Sequence, residues 1–168
     1  QQLLEHAEQG DAQAQYEVGR RFWNGDGVDQ DHKQAADWFD RAARQGLAAA
    51  QCALGLCYER GDGVEQDMWQ AAAWYQWAAQ QDDAEAQCRL GRYLAAGFGV
   101  RKDAAEAAVW YRNAADQGLA EAQLRLAECY EKGQGVPKDM DEAIRWYRKA
   151  AEQGNKDAEK RLEVLESK

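Results

Sequence analysis

The chain has 168 residues with 30 acidic against 21 basic side chains, and its formal charge of −9 repels a phosphate backbone or an anionic lipid surface, which argues against a nucleic-acid partner. No apolar run approaches the ~18 residues of a membrane-spanning helix, so membrane insertion is not expected. Serine occurs once, at Ser167, threonine is absent, and histidine stands only at His6 and His32, which leaves little material for acid–base or serine chemistry.

Taken in order, the chain opens with a half unit, Gln1 to Gly10, in which Leu3 and Ala7 mark the inner face of a short helix; it has neither the basic start nor the apolar core of a signal peptide. This helix either caps the array or continues further repeats. Four full units of thirty-six residues follow, at 11–46, 47–82, 83–118 and 119–154, and 155–168 forms a last capping helix with Ala158, Leu162 and Leu165 inward. Each unit starts with a helix carrying apolar residues four apart: Ala14, Val18, Phe22; Ala50, Leu54, Tyr58; Ala86, Leu90, Leu94; Ala122, Leu126, Tyr130. Gly19, Gly55, Gly91 and Ala127 recur on this helix, where a small residue suits close approach of a neighbour. The helix ends at Gly25, Gly61, Gly97 or Gly133, and a second glycine and a valine follow. These GxG pairs join two helices rather than a strand to a helix, so they are not read as a phosphate loop.

Asp31, Asp67, Asp103 and Asp139, each with Gln or Glu three residues on, read as capping boxes opening a second helix. That helix repeats A-x-x-W-[FY]-x-x-A-A, as in Ala143, Trp146, Tyr147, Ala150 and Ala151, and Trp38, Trp74, Trp110 and Trp146 are expected to fill the core. Gly46, Gly118 and Gly154 close their units, whereas the second ends on Asp82. The expectation is one all-α solenoid of about ten antiparallel helices.

With these residues in place, the chain resembles the Sel1-like repeat, a relative of the tetratricopeptide repeat, along nearly its whole length. The resemblance implies a right-handed α/α superhelix whose first helices line a concave groove that binds proteins, and the scarcity of nucleophiles, acid–base groups and metal ligands argues against catalysis, a cofactor or a metal. On that basis Tyr16, Arg20, Trp23, Asn24, Leu56, Glu59, Arg60, Arg89, Arg92, Glu128 and Lys132 are candidate groove residues, the arginines meeting acidic groups of a peptide or protein partner and Tyr16, Trp23 and Leu56 supplying apolar contact. Cys52, Leu124, Ala95 and Ala96 fall on the same face.

Cys52, Cys57, Cys88 and Cys129 lie on first helices at repeat spacing, roughly 8–10 Å between neighbouring units, and are read as free, apolar thiols beyond disulfide reach. Cysteine-rich bacterial members of the family staple each helix pair with paired Cys, a pattern these columns do not match. Free thiols lean toward the cytoplasm; a periplasmic or secreted location would require a signal peptide already removed. A cysteine-based hydrolase, with Cys paired to His, is the weaker alternative. Trp69, Ala73 and Trp77 form a stripe on the outer face of their helix, and Val109 takes the Ala73 column in the next unit; either the indoles fold back onto their neighbours or they form an exposed convex patch suited to a homodimer or to a second partner bound outside the groove.

Overall fold

The computed structural model describes residues 2–167, and among them every regular element is an α-helix. They run α1 (Gln2–Glu8), α2 (Ala12–Asn24), α3 (His32–Arg44), α4 (Ala48–Arg60), α5 (Met68–Ala79), α6 (Ala84–Ala96), α7 (Ala104–Asp116), α8 (Ala120–Lys132), α9 (Met140–Glu152) and α10 (Lys156–Glu166). Two compact units divide them, Gln1–Asp83 with α1 to α5 and Ala84–Lys168 with α6 to α10. Within the first, each of α1 to α4 packs on the next in sequence; within the second, α6 packs on α7, α7 on α8, α8 on α9 and α9 on α10.

The contact inside a repeat depends on the missing side chain. A Cβ placed on Gly19 would stand 2.7 Å from the Phe39 ring, one on Gly55 2.7 Å from the Tyr75 ring, and one on Gly91 2.6 Å from the Tyr111 ring. The glycine therefore lets an aromatic of the second helix lie flat on the backbone of the first, and Phe39, Tyr75, Tyr111 and Tyr147 are all buried. The preceding tryptophan takes a more peripheral place: Trp146 is buried, whereas Trp38, Trp74 and Trp110 are partly buried, Trp38 and Trp74 packing against the edge of the core. The expectation of four core tryptophans therefore holds in full for Trp146 and is corrected to partial burial for the other three. Cations lie over two of these rings, Arg41 at 4.4 Å from the Trp38 centroid and Lys149 at 4.4 Å from that of Trp146.

Aspartates at 31, 67, 103 and 139 do cap the second helices, each accepting from the backbone N–H three residues on. The return half of the capping box is absent. The N–H groups of Asp31, Asp67, Asp103 and Asp139 donate instead to the carbonyls of Phe22, Tyr58, Leu94 and Tyr130, tying the start of each second helix to the first helix of its own repeat. Glu106, freed from the box, accepts from Trp110 Nε1 at 3.2 Å.

A polar device recurs that the apolar pattern hid. Gln15, Gln51, Gln87 and Gln123 are buried in the first helices. The Nε2 groups of Gln15, Gln51 and Gln123 donate to the carbonyls of Ala7, Ala43 and Ala115 at 3.1–3.2 Å. All four Oε1 atoms accept from a glutamine thirty residues on, Gln45, Gln81, Gln117 and Gln153, at 2.8–2.9 Å. A buried amide satisfied at both ends fixes the register of three successive helices.

Candidate functional site

In the first unit, Tyr16, Arg20, Trp23 and Asn24 on α2 meet Leu56 and Ala53 on α4 around a cleft of about 230 Å³ floored by Phe39. Helix periodicity brings four of these onto one side of α2, and the narrow Gly19 contact holds α3 beneath them. Trp23 is half-buried rather than free: its indole stacks on His32 at 4.6 Å and tilts against Phe39 at 6.2 Å. Arg20 pairs loosely with Glu17 at 3.4 Å and its guanidinium lies 6.0 Å from the Tyr16 ring. Asn24 donates to Asp26 at 3.3 Å. Arg60 is exposed in the last turn of α4.

In the second unit, Arg92 and Glu128 border a cleft of about 330 Å³ together with Ala95, Tyr111 and Arg125. Glu128 and Lys132 border a further cleft of about 370 Å³ against Tyr147 and Arg161. Arg89 is only 18% exposed in its side chain and forks onto Glu85, its neighbour one turn back, at 2.8–2.9 Å. Cys52 and Leu124, placed on the groove face by periodicity, are 8% and 4% exposed and belong to the core. The cause is the adjoining helix, which covers more of the first-helix surface than an isolated apolar stripe indicates.

Two carboxylates on the candidate groove face, Glu59 and Glu131, have internal partners. Glu59 accepts a hydrogen bond from the Tyr75 hydroxyl. Glu131 accepts one from the Tyr147 hydroxyl at 2.6 Å, and Arg161 of α10 grips it with Nε at 3.0 Å and with Nη2. The Arg161 guanidinium holds the Glu131 carboxyl below its ordinary range against the opposing effect of burial. The signal was available in the sequence, since Glu stands in this column only where the partner column carries a tyrosine, and Trp23 faces Phe39 instead.

The four thiols are buried and none is in a disulfide. Burial pushes those of Cys57 and Cys88 up to about 12 and that of Cys129 up to about 11, so at neutral pH they carry almost no thiolate. No group of three or more His, Cys, Asp or Glu side chains among the described residues could hold a metal ion, and no described helix is long and apolar enough to cross a membrane. On the outer side of α5, Trp69 is 73% and Trp77 60% exposed, with Ala73 exposed between them. The indoles do not fold back. On α7, Val109 is 57% exposed.

Comparison with known proteins gives a consistent picture. A family model described as the Sel1 repeat matches residues 12–47, 48–83, 84–119 and 120–155, each one residue later than the unit read from the sequence. Among solved structures, a protective antigen present in uropathogenic Escherichia coli strains, displaying an SLR fold, is 46% identical, with a TM-score of 0.87 over 92% of this chain and 33% of that one. A Sel1 repeat protein from Oxalobacter formigenes is 38% identical, with a TM-score of 0.84 over 92% of this chain and 63% of that one. The chain thus spans a third of the first relative and less than two thirds of the second. Helicobacter pylori cysteine rich protein B, 22% identical with a TM-score of 0.59 over 73% of this chain and 93% of that one, shares the fold. No curated protein matches the chain. With four adjoining repeats matched and helix pairs in the same register, the chain belongs to the Sel1 repeat family.

Proposed function

We propose that this chain is a non-catalytic scaffold that holds a peptide or protein partner against the clefts of its first helices. Sel1 repeat proteins generally serve as protein-interaction scaffolds. The observation that carries the reading for this chain is the first-unit cleft, where an aromatic pair, an aliphatic side chain, an arginine and an amide converge, the mixture of rigid aromatic anchor and polar rim that interfaces use. The arginines at 20, 60 and 92 favour acidic groups on the partner, by local attraction within a chain of net negative charge, whereas Arg89 is committed to Glu85. After an interaction screen, Trp23→Ala and Arg92→Glu are each expected to weaken binding about tenfold or more, at the ~1–2 kcal/mol or above typical of a central contact. Binding untouched by both would overturn the groove assignment. A cysteine-based hydrolase is opposed by thiols buried in helices, and activity lost on replacing a Cys or His would revive it.

A second reading, self-association through the outer face of α5, is favoured by one observation: two indoles sixty per cent or more exposed in columns that hold charged residues in the first and fourth repeats. Sedimentation of the native chain should then show a dimer that Trp69→Lys/Trp77→Lys abolishes, and a dimer persisting in the double variant would remove this role.

A further inference from the structure

The fourth repeat and the capping helix after it contain a finished carboxylate site made from the chain's own residues. Glu131 at the end of α8 receives the Tyr147 hydroxyl from α9 and the Arg161 fork from α10, and its side chain is only 14% exposed. Thirty-six residues earlier the same three columns hold Ala95 on α6, Tyr111 on α7 and Arg125 on α8. The hydroxyl and the guanidinium are kept; the carboxylate is cut back to a methyl group. These three side chains border one open cleft of about 330 Å³, which Arg92, Phe98 and Glu128 also line. That volume lies at the small end of ligand sites and admits a carboxylate with the segment bearing it.

We propose that the third-repeat cleft binds a carboxylate presented by a partner, seated where Glu131 sits in the fourth repeat and accepting hydrogen bonds from the Tyr111 hydroxyl and the Arg125 guanidinium. The inference rests on the scaffold reading and names the group that this cleft takes. Tyr111 is held ready for it, because its ring lies on the bare backbone of Gly91, where a Cβ would come within 2.6 Å, and burial raises its pKa so that the hydroxyl keeps its proton. Arg125 meanwhile donates to Glu121 at 2.9 Å and to Glu128 at 3.3 Å, both on its own helix and within one turn. The Glu128 pair is long and half-exposed, at 38% for Arg125 and 32% for Glu128, so an incoming carboxylate that also engages Tyr111 displaces it at little loss. The second repeat supports the reading of the column, since Glu59 there accepts from Tyr75 as Glu131 does from Tyr147.

Two sources can supply the group, an Asp or Glu side chain or a free chain terminus. The probes are N-acetyl-glutamate amide for the first and N-acetyl-alanine for the second, each titrated into the full chain while NMR follows the Arg125 side-chain N–H and the Tyr111 ring. A saturable shift at both, with a Kd on the order of millimolar, is expected from at least one probe, and the tighter of the two identifies the source. Tyr111→Phe and Arg125→Gln should weaken it about tenfold each, at the ~1.4 kcal/mol of one charge-assisted hydrogen bond. Ala95→Glu should abolish it by supplying the carboxylate internally, and should also raise the thermal midpoint, whereas Ala95→Gln should reduce binding and leave the midpoint unraised. Shifts that do not saturate, or that survive Ala95→Glu, overturn the site. Should Ala95→Glu fail to fold, Tyr111→Phe decides alone. Failure here leaves the scaffold reading to be judged by Trp23→Ala, in a cleft of the other unit; loss of partner binding in Trp23→Ala with normal carboxylate binding separates the two.

Discussion

At the end of the second repeat stands Asp82, with φ of 63° where Gly46, Gly118 and Gly154 adopt 91°, 93° and 84°. A left-handed backbone costs an ordinary L-residue about 1–2 kcal/mol and Asp somewhat less, while glycine carries about 0.5–1 kcal/mol of extra unfolded-state entropy. For glycine the relief of strain and the added entropy nearly offset each other, whereas alanine only gains strain, since it lacks the short polar side chain that eases this backbone for Asp. Asp82→Gly is therefore expected to change stability by about +0.5 kcal/mol and Asp82→Ala by about −1 kcal/mol, read from denaturant midpoints; the opposite order would mean that the aspartate side chain itself holds the turn. At some other glycines space as well as angle is limiting. A Cβ on Gly135 would stand 1.9 Å from the Ala104 carbonyl oxygen, whereas around Gly27, with the same positive φ, nothing lies within 4 Å.

The last helix is joined to its neighbours by ion pairs as well as by apolar packing. α10 contributes Ala158 to the buried core and grips Glu131 of α8 with Arg161, while Arg148 of α9 reaches Glu166 at 2.9 Å. Because the folded-state pKa of Glu131 is lowered below 4.5, its stabilisation is present above that value and lost as the pH falls through the lower, folded one. Glu131→Gln should lose on the order of 1 kcal/mol at pH 7, with Arg161 at 41% exposure tempering the ~1.5–3 kcal/mol of a buried charged hydrogen bond. The difference from the native chain should shrink towards pH 3, and melts at pH 3, 5 and 7 check it. A deficit that stays constant with pH would assign the effect to packing.

Across the ten helices of the described residues the fold was legible because its apolar and glycine columns recur every thirty-six residues, so chance matches in one unit are rejected by the other three. Side-chain partnerships were less legible. Periodicity gives a residue's direction from its own helix axis, and it cannot say that a neighbouring helix covers Cys52 and Leu124 or that the residue after each tryptophan takes the central slot. The cleft of the first unit was readable, since Tyr16, Arg20, Trp23 and Asn24 share one helix face; the Tyr111 and Arg125 pairing was not, since it joins columns on different helices. Buried thiols offer a test over both units. Cys57 and Cys88, at about 12, and Cys129, at about 11, should react with a maleimide at pH 8 at least about a hundredfold more slowly than in the unfolded chain, and Cys52, at 8% exposure, should be protected sterically. Rapid labelling of the native protein would show that these helices open readily.

The buried glutamines bear on how such a chain can lengthen. Gln51 looks back eight residues to the Ala43 carbonyl and forward thirty to Gln81, and Gln123 looks by the same offsets to Ala115 and Gln153. Every partner is found by counting along the chain, whatever the neighbouring unit's surface residues are. Duplication of a whole thirty-six-residue segment therefore arrives with its polar connections already matched, free to diverge on the outside, whereas an insertion of another length in the helices strands a buried amide and is removed by selection.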